Sequence, residues 1–142
     1  MNNSFIDKAV IFCEQNKHRL TLPRLNVLKI IHSSAKPIKA YDILNKLSII
    51  IRNPHPPTAY RAIEFWKRHK FIHRIESLNA YCICKSDHLH SGGQFLICND
   101  CGTVIESHLC NFPEVFKNVI KKKMFTLSNW NLEINGTCKK CS

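Results

Sequence analysis

Two cysteine pairs carry the clearest chemistry in this chain: Cys98-Asn-Asp-Cys101, followed by Gly102, and Cys138-Lys-Lys-Cys141. A two-residue spacer turns both thiols of a pair toward one point, and two such pairs supply the four sulfurs of a tetrahedral zinc site. Four thiolates leave no coordination position for water or substrate, so this ion is expected to be structural. A redox role would need only one pair. The first 15 residues contain Asp7 and Glu14 and no long apolar run, so a cytoplasmic location without a signal peptide or membrane span is expected. In such a reducing compartment the eight cysteines point to metal or catalysis rather than to a disulfide framework.

A second set of potential ligands is mixed. His73, Cys84, His88, His90 and Glu106 fall around the middle of the chain, and nitrogen, sulfur and oxygen donors together suit a zinc site of tunable affinity. Each alone has an ordinary explanation, as a packed histidine or a solvated strand end. His108 follows Glu106 by two residues and, with His88, is a candidate for an additional site. Cys13, Cys82 and Cys110 read as small apolar or surface residues, and His18, His32, His55 and His69 as packing or surface groups.

The elements that must position these residues read as α+β. Phe5, Ala9, Phe12 and Cys13 recur at helical spacing, as do Leu25, Leu28, Ile31 and His32, with Thr21 as cap and Pro23 in the first turn. Ala40 to Ile50 predicts a third helix. Pro54-His-Pro-Pro57 interrupts the pattern, and Thr58 is expected to cap a fourth helix running to Lys70. Residues 71–76 and 80–84 read as two strands of a wing joined at Ser77-Leu-Asn79. The expected organisation is a winged helix-turn-helix domain over residues 1–84, a hinge over 85–93 ending in Gly92-Gly93, and a small α/β domain over 94–142 stapled by zinc. In that second domain, strands at 94–97 and 103–106 flank the first cysteine pair. Asn111 is expected to cap a helix with Pro113 in its first turn, and Phe125 to Ile134 to form a strand that ends at Asn135-Gly136.

Charge is uneven. The chain carries a net +11, and residues 1–84 hold 14 basic and 5 acidic side chains against 7 and 5 in residues 85–142. A basic helical half favours an anionic partner such as nucleic acid or an acidic membrane surface. Thr58, Tyr60 and Arg61 stand at the start of the fourth helix, where a helix laid in the major groove presents side chains to base edges. Tyr41, Arg24, Lys39 and Arg74 are candidates for phosphates or the flanking groove. Phe65 and Trp66 read as core.

Arg19-Leu-Thr-Leu-Pro-Arg24, Pro57-Thr-Ala-Tyr-Arg61, Ile97-Cys-Asn-Asp-Cys-Gly102 and Cys138-Lys-Lys-Cys141 together resemble the ferric uptake regulator family of bacterial metal-sensing repressors. Ala40-Tyr-Asp-Ile-Leu44 and the wing sequence from Phe71 to Cys84 look most like its zinc uptake regulator branch. The resemblance implies a homodimer whose second domain dimerises, a repressor that binds palindromic operator DNA when zinc is plentiful, and about two zinc ions per chain. It implies a regulatory site on His73, Cys84, Glu106 and a hinge histidine, taken as His90 with His88 as the alternative. Tyr41 and Arg61 match positions that contact DNA in that branch, and Ala59 stands where a valine is common. No enzymatic activity is expected. The rival readings are an iron- or peroxide-responsive member of the family, a zinc hydrolase using the hinge site, and a zinc-ribbon module that binds only protein.

Overall fold

The computed structural model describes residues 4–85, 92–107 and 111–142. It separates into two compact units, Met1–Cys84 and Lys85–Ser142.

The first unit contains α1 (Ser4–Gln15), α2 (Leu22–Ser33), β1 (Ile38–Lys39), α3 (Ala40–Ile50), α4 (Pro56–Arg68), β2 (Ile72–Ile75) and β3 (Ala80–Ile83). Thr21 caps α2, its side-chain oxygen accepting from the Arg24 N–H at 3.3 Å. The start of α4 differs from expectation: the helix begins at Pro56, so Thr58 lies inside the first turn and His55 takes the cap position without a side-chain bond. Pro56 and Pro57 supply helical φ and have no N–H to satisfy, so a side-chain cap is dispensable there. Ala59, Ala62, Ile63 and Trp66 form the inward stripe of α4. They pack with Leu28, Ile31, Ile43 and Leu47 into one core, in which the Trp66 ring is fully buried. That stripe obliges Tyr60, Arg61 and Glu64 to face outward.

The wing is a three-stranded antiparallel sheet in the order β1-β3-β2, with His73 opposite Cys82 and Arg74 opposite Tyr81. A 3-10 turn at Glu76–Leu78 and Asn79 in the left-handed region (φ 47°) reverse the chain between β2 and β3; asparagine tolerates that conformation better than most residues.

The second unit is built from β4 (Gly92–Cys98), β5 (Val104–Ser107), α5 (Glu114–Lys122) and β6 (Trp130–Gly136). Strand order is β5-β4-β6, with β5 antiparallel and β6 parallel to the central strand. The parallel pair requires a crossover, and α5 lies within it. Phe95 and Ile97 of β4 are buried.

Three expectations are corrected here. Gly92 and Gly93 open β4 rather than close a hinge, because Gly92 lies so close to the ring and carbonyl of Trp130 that a Cβ would collide with both. Asn111 does not cap α5; the helix starts at Glu114, and the Pro113 carbonyl accepts from Phe116 and Lys117. Strand β6 starts at Trp130 rather than Phe125, because Met124 (φ 51°) and Phe125 complete the end of α5. The Met124 N–H bonds to the Lys121 carbonyl and the Phe125 N–H to that of Ile120, which is a Schellman closure. The same closure ends α1 at Lys17 and α4 at Lys70, each with positive φ.

Candidate metal centres and nucleic-acid interface

The four paired cysteines meet in the second unit. Parallel pairing aligns Cys98, the last residue of β4, with Gly136, the last residue of β6, so both strand ends release their cysteine turns at the same end of the sheet. In the first turn Gly102 takes φ 71° and donates its N–H to the Cys98 carbonyl at 3.0 Å. In the second, the Cys141 and Ser142 N–H groups both bond to the Cys138 carbonyl. The four Sγ atoms lie within 4.8 Å of one another, and Cys101 Sγ to Cys138 Sγ is 3.7 Å. A tetrahedron with Zn–S bonds of about 2.3 Å has sulfur–sulfur edges of about 3.8 Å, so the donors fit zinc in number, type and spacing.

Electrostatics separate the four. Backbone N–H groups of Cys101 and Cys138 lower the Cys98 thiol to about 6, the latter bonding to Cys98 Sγ at 3.3 Å. The hydroxyl of Thr103, 3.1 Å from Cys101 Sγ, lowers the Cys101 thiol; Thr103 was not singled out from the sequence. Cys141 is pushed up to about 12, chiefly by its neighbours Cys138 and Cys101. Protein dipoles therefore favour the first thiolates, while a full set of four needs the charge of a cation.

The residues of the mixed set are divided between the two units. In the first, His73 on β2 and Cys84 just after β3 place a ring nitrogen and a thiol within 4.8 Å of each other. The Cys84 N–H bonds to the Phe71 carbonyl at 2.8 Å and the residue is buried. In the second unit, Glu106 on β5 accepts the Lys85 N–H at 3.0 Å. His88, His90 and His108 lie outside the described residues.

Among the residues expected to meet DNA, Tyr41 on α3 is 71% exposed and Tyr60 on α4 is 53% exposed. Arg61 and Lys39 are exposed as well, and Thr58 is half-buried. Arg74 bonds to Asn79 Oδ1 at 2.9 Å across the wing turn and pairs with Glu76 at 3.5 Å. Arg24 is half-buried: its guanidinium lies 3.8 Å from the Phe65 ring centroid and donates to the Arg19 carbonyl at 2.6 Å.

In the second unit, Val115, Phe116 and Val119 of α5 are exposed, as are Leu96, Ile105 and Ile134, which form one row across the three strands. Apolar groups so arranged mark a surface that pairs with another protein surface. No helix among the described residues is long and apolar enough to cross a membrane.

Comparison with known proteins agrees with this geometry. The chain is 34% identical over 136 residues to the zinc uptake regulation protein of Escherichia coli (strain K12), an alignment spanning 94% of this chain and 79% of that protein. It superposes on a zinc uptake regulator complexed with zinc and DNA with a TM-score of 0.91 and 31% identity, covering 98% of this chain and 93% of the other. It superposes on the holo form of XcZur with a TM-score of 0.82 and 33% identity, covering 98% and 97%. Residues 15–135 match the ferric uptake regulator family as a whole. A winged helix, a zinc-fitted α/β unit and similarity along nearly the entire length converge: the chain belongs to the ferric uptake regulator family.

Proposed function

We propose that this protein is a zinc-responsive transcriptional repressor: a cytoplasmic homodimer that binds palindromic operator DNA when loaded with zinc and silences genes for zinc uptake. The observation that carries the choice of metal is the His73–Cys84 pair. A thiolate beside an imidazole is a borderline-soft donor pair that suits zinc, whereas a site of nitrogen and oxygen alone would suit iron or manganese. The similarity to zinc uptake regulators over nearly the whole chain supports the same choice.

In this reading Cys98, Cys101, Cys138 and Cys141 hold a structural zinc that ties β4 to the chain after β6. His73, Cys84, His90 and Glu106 hold the regulatory zinc, which supplies positive charge and four-fold coordination to ligands drawn from two units. Both units then contribute to one binding equilibrium, so zinc and DNA affinity are coupled, each raising the other by the same factor. Tyr41, Thr58, Tyr60 and Arg61 meet the groove and Lys39 the phosphates, while the exposed faces of α5 and the sheet pair with a second copy. A hydrolase would need three protein ligands and an open water position; the four-ligand set provides none, and the protein is proposed to be no enzyme.

Two serine variants separate the sites. Cys84→Ser should keep one zinc per chain, remain a folded dimer and lose zinc-activated DNA binding. Cys98→Ser should lose the structural ion and unfold the second unit. Zinc-activated binding that survives Cys84→Ser removes Cys84 from the regulatory site.

A further inference from the structure

The motif Arg19-Leu-Thr-Leu-Pro-Arg24 has no role in either metal centre, and its Arg24 is bonded within the first unit through its backbone N–H, its carbonyl and one guanidinium nitrogen. The Arg24 N–H bonds to Thr21 Oγ1 at 3.3 Å, at the cap of α2. Its carbonyl accepts the indole N–H of Trp66 at 2.7 Å, joining α2 to α4. One guanidinium nitrogen donates to the Arg19 carbonyl at 2.6 Å, and the guanidinium plane covers the Phe65 ring with Cζ 3.8 Å from its centroid. Phe65 and Trp66 are consecutive residues of α4, both buried, with ring centroids 4.9 Å apart.

We infer that Arg24 is a positioning residue, gripping α4 through Phe65 and Trp66 so that Tyr60 and Arg61 are held at a fixed tilt, and that it does not contact a phosphate. The inference rests on α4 being the helix that enters the groove. A guanidinium stacked on a ring and hydrogen-bonded to a carbonyl is attracted to both, and leaving them for a phosphate would uncover the Phe65 face and break the bond to the Arg19 carbonyl. Lysine cannot reproduce a planar stack with a directed N–H. The motif thus reads as one device: Thr21 starts α2, Pro23 sets its first turn, and Arg24 fastens it to α4.

Salt dependence distinguishes positioning from phosphate contact. Each lost phosphate contact makes the slope of log K against log salt shallower by about 0.9, whereas a lost positioning contact shifts the line without tilting it. The probe is a duplex recovered by in vitro selection on the zinc-loaded wild-type protein, titrated from low to moderate salt. Arg24→Gln should weaken binding roughly three- to tenfold at every salt concentration with the slope unchanged. Phe65→Leu should give a similar shift, the double variant no more than either alone, and Arg24→Lys little recovery. A shallower slope in Arg24→Gln, full recovery by Arg24→Lys, or unaltered binding in Arg24→Gln would each overturn the inference. If the wild type selects no duplex, the DNA-binding reading fails, and the grip is still judged by 15N NMR of the Trp66 indole. Its N–H should exchange faster with solvent in Arg24→Gln than in wild type, and equal protection in the two proteins overturns the grip.

Discussion

Among the described residues, the cysteines differ in what surrounds each sulfur. Cys13 is buried in the helical core, where burial raises its thiol and keeps it protonated. Cys98 and Cys101 sit among N–H and hydroxyl donors that favour thiolates. Cys141 is pushed up to about 12 by its sulfur neighbours, so a cation that binds there displaces its proton to solvent. Zinc uptake at this site should therefore release protons, and zinc should leave as acid competes for the sulfurs. Cys141→Ser is expected to lower metal content by one ion per chain and to lower the melting temperature of the second unit, while Cys13→Ala leaves metal content unchanged; elemental analysis with a thermal melt reads both.

At the scale of elements, the end of α4 carries two testable features. His69, the residue after the helix, has its ring 4.6 Å from that of His18 and 4.7 Å from that of Phe65. Burial first, then the charges of His18, Arg68 and Arg24, hold its pKa below the ordinary 6.5. The folded protein thus binds the proton less well than the unfolded chain. Stability from this group is complete above 6.5 and is lost as pH falls through that value toward the lower folded one. His69→Phe keeps an aromatic ring and removes the proton site, so its melting temperature should decline less than that of the wild type between pH 7 and 5. Lys70, next in the chain, holds φ 65°. Glycine there avoids the left-handed penalty at some entropic cost, so Lys70→Gly should stabilise by about 0.5–1 kcal/mol in denaturant unfolding. The α-helices among the described residues were legible in the sequence, from apolar spacing or from the prolines and polar caps before them, and the cysteine pairs from their spacers. The ends were less so. Thr58 and Asn111 are good caps in isolation, yet prolines at Pro56 and Pro113 set where α4 and α5 begin. Phe125 alternates with its neighbours like a strand residue, but its N–H is spent closing α5. Gly92 reads as a turn when its neighbour in space, Trp130, is invisible along the chain. Arg24 is a phosphate candidate in the sequence, where the ring that its guanidinium covers, Phe65, lies 41 positions away.

Across the whole molecule, charge is divided unevenly between the units. The basic excess lies in residues 1–84, and the second unit exposes Val115, Phe116 and Val119 on one helix. Since none of these side chains is buried within the chain, replacing them should spare the fold of the protomer and damage only its pairing. Phe116→Asp combined with Val119→Lys is expected to yield a folded, zinc-containing monomer by analytical ultracentrifugation. That monomer should bind a palindromic duplex far more weakly than the dimer, because the two half-sites no longer share one ligand. The central claim is that DNA binding is switched by zinc. The most direct measurement is operator affinity of the purified protein with free zinc, iron and manganese buffered in turn. The account predicts tight binding in zinc and a large loss in metal-free buffer, with iron and manganese poor substitutes; equal affinity with and without zinc, or preferential activation by iron, would contradict it.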